Sequence, residues 1–332
     1  MKRFKKRTKV LPALILMMIS LLVFLAGCGG VQNKSDAGSE QQEKMVSLKI
    51  GILSVPDILP LVVGIEKGYY EQAGINLELI PFQSAVERES ALQAGHLDGV
   101  ITDMIVAYLL KAGGVPVKIT SITSGVVPSE GRFGIASAPN SNITSLGDLQ
   151  GKRVGISHNT IIEYVLDGLL EQSGLDESHV EKIPVPKIPV RLEMLMNGQL
   201  DAAVLPDPFL AFAEFAGASV VADDTTGDNL SQVVLVFHGD VLENKFETLK
   251  RFYQGYVKAI DDINSDREQY RELFVKEARV PEAISESYTV PVYPKPSLPA
   301  KDDMERVYNW LANKGVVTVQ IPYEDMIVHD LY

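Results

Sequence analysis

The sequence predicts an α/β fold of two Rossmann-like lobes with mainly parallel sheets, and three observations carry that prediction. Short β-branched runs alternate with longer helical patterns from residue 47 onward, the arrangement of βαβ units. The pattern restarts after Asn140, at a spacing of about 100 residues, which is the size of one lobe. About 285 residues follow the N-terminal segments, enough for two separate apolar cores.

The elements run in order. Ser47 to Leu53 is a predicted strand, Leu59 to Gln72 a helix ending near Gly74, and Asn76 to Ile80 a second strand. A helix over Ala85 to Gln93 leads to a strand at Gly99 to Ile101, a helix at Met104 to Lys111 and a strand at Val117 to Thr123. After the restart come a strand at Arg153 to Ile156, a helix over Thr160 to Gln172 closed by Gly174, and a strand at Val180 to Ile183. A helix at Val190 to Met196 and a strand at Ala202 to Leu205 follow. Gln232 to Phe237 is an apolar strand that can return the chain to the first lobe. Phe246 to Ile263 and Asp302 to Asn313 have amphipathic helical periodicity, and the proline-rich stretch Pro281 to Pro299 should be irregular.

An internal echo ties the halves together. Ala91-Leu92-Gln93-Ala94-Gly95-His96-Leu97-Asp98-Gly99-Val100-Ile101-Thr102-Asp103 is matched by Glu193-Met194-Leu195-Met196-Asn197-Gly198-Gln199-Leu200-Asp201-Ala202-Ala203-Val204-Leu205-Pro206-Asp207. In each, an apolar helix stops at a glycine, a Leu-Asp turn follows, and a short buried strand ends in a polar loop.

The first fifty residues address the chain. Six basic residues between Lys2 and Lys9 precede an apolar run from Val10 to Ala26, and then Gly27-Cys28. A positive segment before a short apolar core has the form of a secretory signal over residues 1–27, and the run is short for a membrane span. Leu25-Ala26-Gly27-Cys28 resembles a bacterial lipobox, which implies lipidation of Cys28, with palmitate among the acyl groups. The other reading is an uncleaved anchor helix; both place the remainder outside the cytoplasm and tethered to a membrane. Residues 28–45 are polar and Gly/Ser-rich and should form a flexible tether of roughly 20–25 Å.

Composition excludes several classes. Cys28 is the only cysteine, so no internal disulfide and no cysteine metal cluster can form. Six of the 31 basic residues precede residue 28 and none of the 43 acidic ones does, leaving a formal charge of −18 beyond it. Such a surface repels phosphate backbones, so no nucleic-acid partner is expected. No phosphate-binding loop, nucleophile elbow or His-Glu-x-x-His pair is present, and the five histidines lack metal-ligand spacing. The expectation is therefore a non-enzyme with no cofactor and no metal.

Gly68-Tyr69-Tyr70 with Ala73-Gly74-Ile75, Ala94-Gly95-His96-Leu97-Asp98, Leu146 to Gly155, and Gly198 to Ala203 stand in order and at spacings that resemble the nitrate/sulfonate/taurine/thiamine-precursor solute-binding proteins of ABC importers. The resemblance runs from about residue 48 to 215. It implies the type II periplasmic-binding-protein fold: two lobes joined by two crossover strands, a ligand between them, and closure read by a permease and ATPase. It also implies a lipid-anchored monomer on the extracytoplasmic face of the cell membrane. Lobe 1 is then 46–135 with 236–332, and lobe 2 is 136–235, with hinges around Arg132–Ala138 and Gln232–His238.

In open α/β sheets ligands sit beyond the carboxyl ends of the strands, at helix N-termini. That rule selects Ser54, Asp57, Ser84, Thr102 and Asp103 in the first lobe. In the second it selects Ser157, His158, Asn159, Thr160, Asp207 and Phe209. Ser84, Asp103, Asn159 and Asp207 are equally good N-caps, a role that needs no ligand. Arg88 is a candidate anion holder or a member of a solvated Glu87-Arg88-Glu89 cluster, and Arg132 is a weaker candidate. Asp57 and Asp103 together favour an amine- or pyrimidine-like solute over a bare sulfonate. The alternatives are a ligand-sensing lipoprotein and an enzyme of pyrimidine or menaquinone metabolism, against which the signal segment and lone cysteine argue.

Overall fold

The computed structural model describes residues 45–227 and 230–332. The expected signal segment, the tether up to residue 44 and the lipidation candidate Cys28 lie outside the described residues.

Two five-stranded mixed sheets organise the chain, with helices packed around them. The strands of the first are β1 (Val46–Leu53), β2 (Ile75–Phe82), β3 (Gly99–Asp103), β4 (Val117–Ser124) and β10 (Val233–His238), in the order β2-β1-β3-β10-β4. Those of the second are β5 (Phe133–Ser137), β6 (Arg153–Ile156), β7 (Glu181–Pro184), β8 (Ala202–Pro206) and β9 (Ser219–Asp223), in the order β7-β6-β8-β5-β9. In each sheet one strand runs antiparallel to its neighbours, β10 in the first and β5 in the second. Each of these follows a crossing of the chain from the other sheet. The two sheets therefore repeat one plan, each completed by a strand that arrives from the other half.

The two stretches expected as hinges, Arg132–Ala138 and Gln232–His238, contain β5 and β10. Phe133–Ser137 lies within the second sheet and Val233–His238 within the first. The chain crosses at 125–132, and again between Asp223 and Val233.

The helices are α1 (Leu59–Glu66), α2 (Tyr69–Gln72), α3 (Ala85–Gln93), α4 (Met104–Ala112), α5 (Ile161–Gln172), α6 (Ile188–Met196) and α7 (Phe209–Phe215). Beyond β10 come α8 (Gly239–Asn244), α9 (Phe246–Ser265), α10 (Arg271–Glu277), α11 (Lys301–Asn313) and α12 (Tyr323–Met326). The helix expected over Leu59 to Gln72 is interrupted: Gly68 takes φ +68°, a left-handed conformation that glycine adopts without cost, and α2 restarts at Tyr69. α9 is the long amphipathic element. It buries Leu249, Phe252, Tyr256, Ile260 and Ile263 at helical spacing, and Phe252 stacks on Tyr70 at 5.3 Å. Residues 285–300 hold no regular element, as their prolines require.

Both halves hold the same local device at the start of their sheets. The Lys49 backbone N–H donates to Asp98 Oδ2 at 2.8 Å, and the Arg153 N–H donates to Asp201 Oδ2 at 2.8 Å. The Leu-Asp turns of the sequence echo are thus structural counterparts, one fixing β1 against β3 and the other β6 against β8.

Candidate functional site

A cavity of about 620 Å³ lies between the two sheets, in the size range of small-molecule sites. Its wall draws on the carboxyl ends of β1, β3 and β4, on the loops after β6 and β8, on the crossing 127–133, and on the irregular segment 288–293.

Asp103 ends β3 and is bonded to both halves. Its Oδ1 accepts the Val106 N–H at 2.8 Å, capping α4. Its Oδ2 accepts the Ile161 N–H at 3.2 Å, at the first turn of α5 in the other half. Burial pushes this carboxyl up to about 6, against the pull of those two donors.

Asp57 follows β1. Burial also pushes it up to about 6, opposed by its own backbone N–H and by the charge of Arg88. Asp207 follows β8, where its Oδ1 accepts the Ala211 N–H at 3.2 Å and its Oδ2 accepts the Tyr288 hydroxyl at 3.1 Å. Burial pushes it up to about 6 as well, with Arg132 drawing it down. The cavity wall thus holds four carboxyls, Asp57, Asp103 and Asp207 at three strand ends and Glu130 on the crossing, facing the guanidinium groups of Arg88, Arg132, Arg191 and Arg267.

Arg88 does not belong to a solvated cluster. It is 3% exposed; its Nη2 donates to Glu89 Oε1 at 2.7 Å and to Thr102 Oγ1 at 2.8 Å, so its charge is already matched. Thr160 donates to the Ser157 carbonyl at 2.8 Å and accepts from the Ile162 N–H, building the turn that opens α5. The buried hydroxyl of Ser157 has no partner. Arg132 is held by Asp223 at 2.9 Å and Glu214 at 3.2 Å.

The cavity wall therefore includes Asp57, Arg88, Thr102, Asp103, Ser157, Thr160 and Asp207, but not Ser54, Ser84, His158, Asn159 or Phe209. The reasons are local. Ser54 is a bend residue just outside the wall. Ser84 turns its hydroxyl to the Glu87 N–H as the cap of α3. His158 is exposed and its Nδ1 faces Glu163 at 3.3 Å. Asn159 takes φ 56°, and its N–H goes to Glu163 at 2.8 Å. Phe209 begins α7 and packs on the smaller apolar core of the second half.

Three wall residues carry no signal in the loop rule. Tyr288 and Tyr293 come from the irregular C-terminal segment; Tyr293 donates to the Pro56 carbonyl at 2.7 Å and seats that segment beside Asp57. Arg191, on α6, is fully buried, with Nε on the Val204 carbonyl at 2.8 Å and Nη1 on the Val185 carbonyl at 2.7 Å. Burial pulls it down to about 9, which still leaves it a cation at neutral pH. Its signal was in the echo: Arg191 stands ten residues before Asp201 as Arg88 stands ten before Asp98.

Known proteins of this architecture are similar to the chain. A Brachyspira hyodysenteriae protein, named as a candidate ABC transporter periplasmic binding protein, is 22% identical over 277 residues, covering 79% of this chain and 76% of its own. The ligand-binding component of an ABC-type import system from Staphylococcus aureus superposes with TM-score 0.72 at 19% identity, covering 87% of this chain and 98% of its own. The periplasmic aliphatic sulphonate-binding protein of Escherichia coli superposes with TM-score 0.70 at 18% identity, over 85% and 92% of the two chains. The NMT1/THI5-like family model matches residues 55–269, and the chain belongs to that family.

Proposed function

We propose that this chain is the extracytoplasmic solute-binding component of an ABC importer, which captures a small organic solute in the cavity between its sheets. The observation that carries the reading is that one cavity takes its walls from the strand ends of both halves, with Asp103 bonded across it. Such a site is complete only when the halves are together, so a ligand touching both stabilises the closed arrangement. The named roles of the relatives point the same way.

In this reading Cys28 carries the lipid that tethers the protein to the membrane, and the partners are a permease and its ATPase. The segment 125–132 and the return crossing act as hinges. The cavity carboxyls Asp57, Asp103, Glu130 and Asp207 favour a solute with an amine or other N–H donors over a bare anion.

Thermal denaturation of the full chain in detergent, against a panel of amines, pyrimidines, amino acids and sulfonates, tests the reading. A true ligand at a hundredfold excess over Kd adds about 2.7 kcal/mol. Ser157→Trp, which fills the cavity, should abolish that shift. A shift that survives Ser157→Trp would place binding elsewhere and overturn the assignment. Membrane fractionation of Cys28→Ser checks the anchor: release into the soluble fraction is expected.

A further inference from the structure

Resting on that reading of the cavity, we infer that its ligand is dipolar: a small organic molecule whose cationic group meets Asp57 and whose acidic group meets Arg191.

The two halves repeat one plan. Arg88 and Arg191 are each the fourth residue of a nine-residue helix, α3 and α6. Each lies against a strand glycine, Gly51 of β1 and Gly155 of β6. A Cβ at Gly51 would stand 3.0 Å from Arg88 Cγ, and one at Gly155 would stand 3.2 Å from Arg191 Cγ. The two guanidinium groups therefore occupy equivalent places at the floor of the cleft.

Their surroundings differ. Arg88 is matched by Glu89 and Thr102. At the equivalent positions beside Arg191 stand Leu192 and Leu205. Arg191 thus keeps its charge with only two carbonyls as partners, and its buried Nη2 has none. A buried charge without a counter-charge is costly. The first half shows how the same fold neutralises an arginine at this place. The second half leaves the place open, in the cavity wall.

The opposite sign sits in the first half. Asp103 and Asp207 have both oxygens engaged, by Val106 and Ile161 and by Ala211 and Tyr288. Asp57 instead has its own backbone N–H. Tyr293, seated on Pro56, and Tyr288 line the wall with it, and aromatic faces suit an organic cation. A simple anion would meet the four wall carboxyls Asp57, Asp103, Glu130 and Asp207, while Arg88 and Arg132 of the same wall are already paired with carboxylates. A simple cation would leave Arg191 unmatched. One molecule bearing both groups satisfies both halves and draws them together.

The test is competitive retention. The full chain in detergent is equilibrated with an equimolar mixture of alkylamines, alkyl carboxylates and sulfonates, ω-amino carboxylates and sulfonates, and aminopyrimidines with and without a carboxylate. Retained compounds are quantified by mass spectrometry after ultrafiltration. The expected result is retention of compounds carrying both groups, at least tenfold over either monopolar set. Arg191→Met should lose that preference. Because this buried variant can fail to fold, Leu192→Glu/Leu205→Thr, which copies the Glu89 and Thr102 surroundings onto Arg191, provides the second arm. It should melt at or above the wild-type temperature and still lose retention at least tenfold. Retention of monopolar compounds alone, or unchanged retention in a folded Leu192→Glu/Leu205→Thr variant, would overturn the dipolar ligand and leave the solute-binding reading standing. Retention of nothing would count against both.

Discussion

Asp103 and Ile161 meet at 3.2 Å, carboxylate oxygen to backbone N–H, although one ends a strand of the first sheet and the other begins a helix of the second half. The same carboxylate caps its own helix α4 through Val106. One side chain therefore satisfies free N–H groups at two helix N-termini, which are otherwise unpaired donors. Asp103→Ala should cost about 1–3 kcal/mol, the loss of two capping bonds. The only tryptophan reports on the same joint: Trp310 of α11 donates to Asp167 of α5 at 3.0 Å and packs edge-on against Tyr164. Its emission should shift in Asp103→Ala, and an unchanged spectrum with unchanged melting would show that the bond does not hold the halves.

Lys314 reaches from the end of α11 into the second half, 2.9 Å from Glu163 and 2.9 Å from Glu177, beside Lys182 at 3.0 Å from Glu163. Glu163, Asp167 and Glu177 stand close enough to hold a metal ion, but the two lysines already occupy that place. Lys314→Met should destabilise by about 1–3 kcal/mol, less than a fully broken buried pair because Lys182 remains. Lys301→Met, at an exposed 3.9 Å pair with Glu305, serves as the control and should change stability by less than about 0.5 kcal/mol.

The same cluster sets the acid limb of stability. Burial alone would raise Glu163, but the Asn159 N–H and the two lysines outweigh it and bring it down from 4.5 to about 2. A depressed carboxyl contributes stability that is present above its unfolded value and lost as pH falls through its folded one. Melting temperature should therefore drop between pH 4.5 and 2, and the drop should be smaller in Lys314→Met. Equal slopes in the two proteins would sink this account.

The cavity carboxyls act with the opposite sign. Asp57, Asp103 and Asp207 are raised from 3.8 to about 6. The folded state then binds more protons than the unfolded chain between those values, so their contribution makes stability fall as pH rises from about 4 to 6. Asp57→Asn should melt higher than wild type at pH 7.5. The gap should close as pH falls through 6 toward 4, measured by calorimetry without added ligand.

Gly155 sits where a Cβ would approach Leu200 Cδ1 to 2.5 Å and Arg191 Cγ to 3.2 Å. Gly155→Ala should cost about 1–3 kcal/mol by overpacking. It should also weaken ligand retention by displacing Arg191. Gly151→Ala, at an open turn with φ +68°, should destabilise without touching retention.

Much of the scaffold was legible because its signals are local. Ala85–Gln93 and Arg153–Ile156 follow from a serine cap with helical periodicity and from a glycine turn before a β-branched run. The Leu-Asp echo announced two halves of one plan. Strands β5 and β9 were not legible: Phe133–Ser137 and Ser219–Asp223 are five residues each, with glycine, alanine and serine diluting any apolar pattern, and they are strands because the second sheet offers them partners.

For the site, sequence supplied the strand-end loops, because a polar residue before a helix is visible wherever it stands. It did not show which of them face inward. Ser84, Asn159 and Asp103 all stand before helices, yet the Ser84 hydroxyl accepts only from the Glu87 N–H of its own helix and Asn159 offers its backbone N–H to Glu163, while Asp103 also reaches the other half. What the sequence by itself determined is the alternation of elements, the duplication and the acidic character of the chain, all of which depend on neighbours in the chain. Only the tertiary structure decided that Tyr288 and Tyr293 close the cavity and that Arg191 lacks the counter-charge Arg88 has. Those facts depend on which side chains from distant segments meet, and on burial that no single segment creates alone.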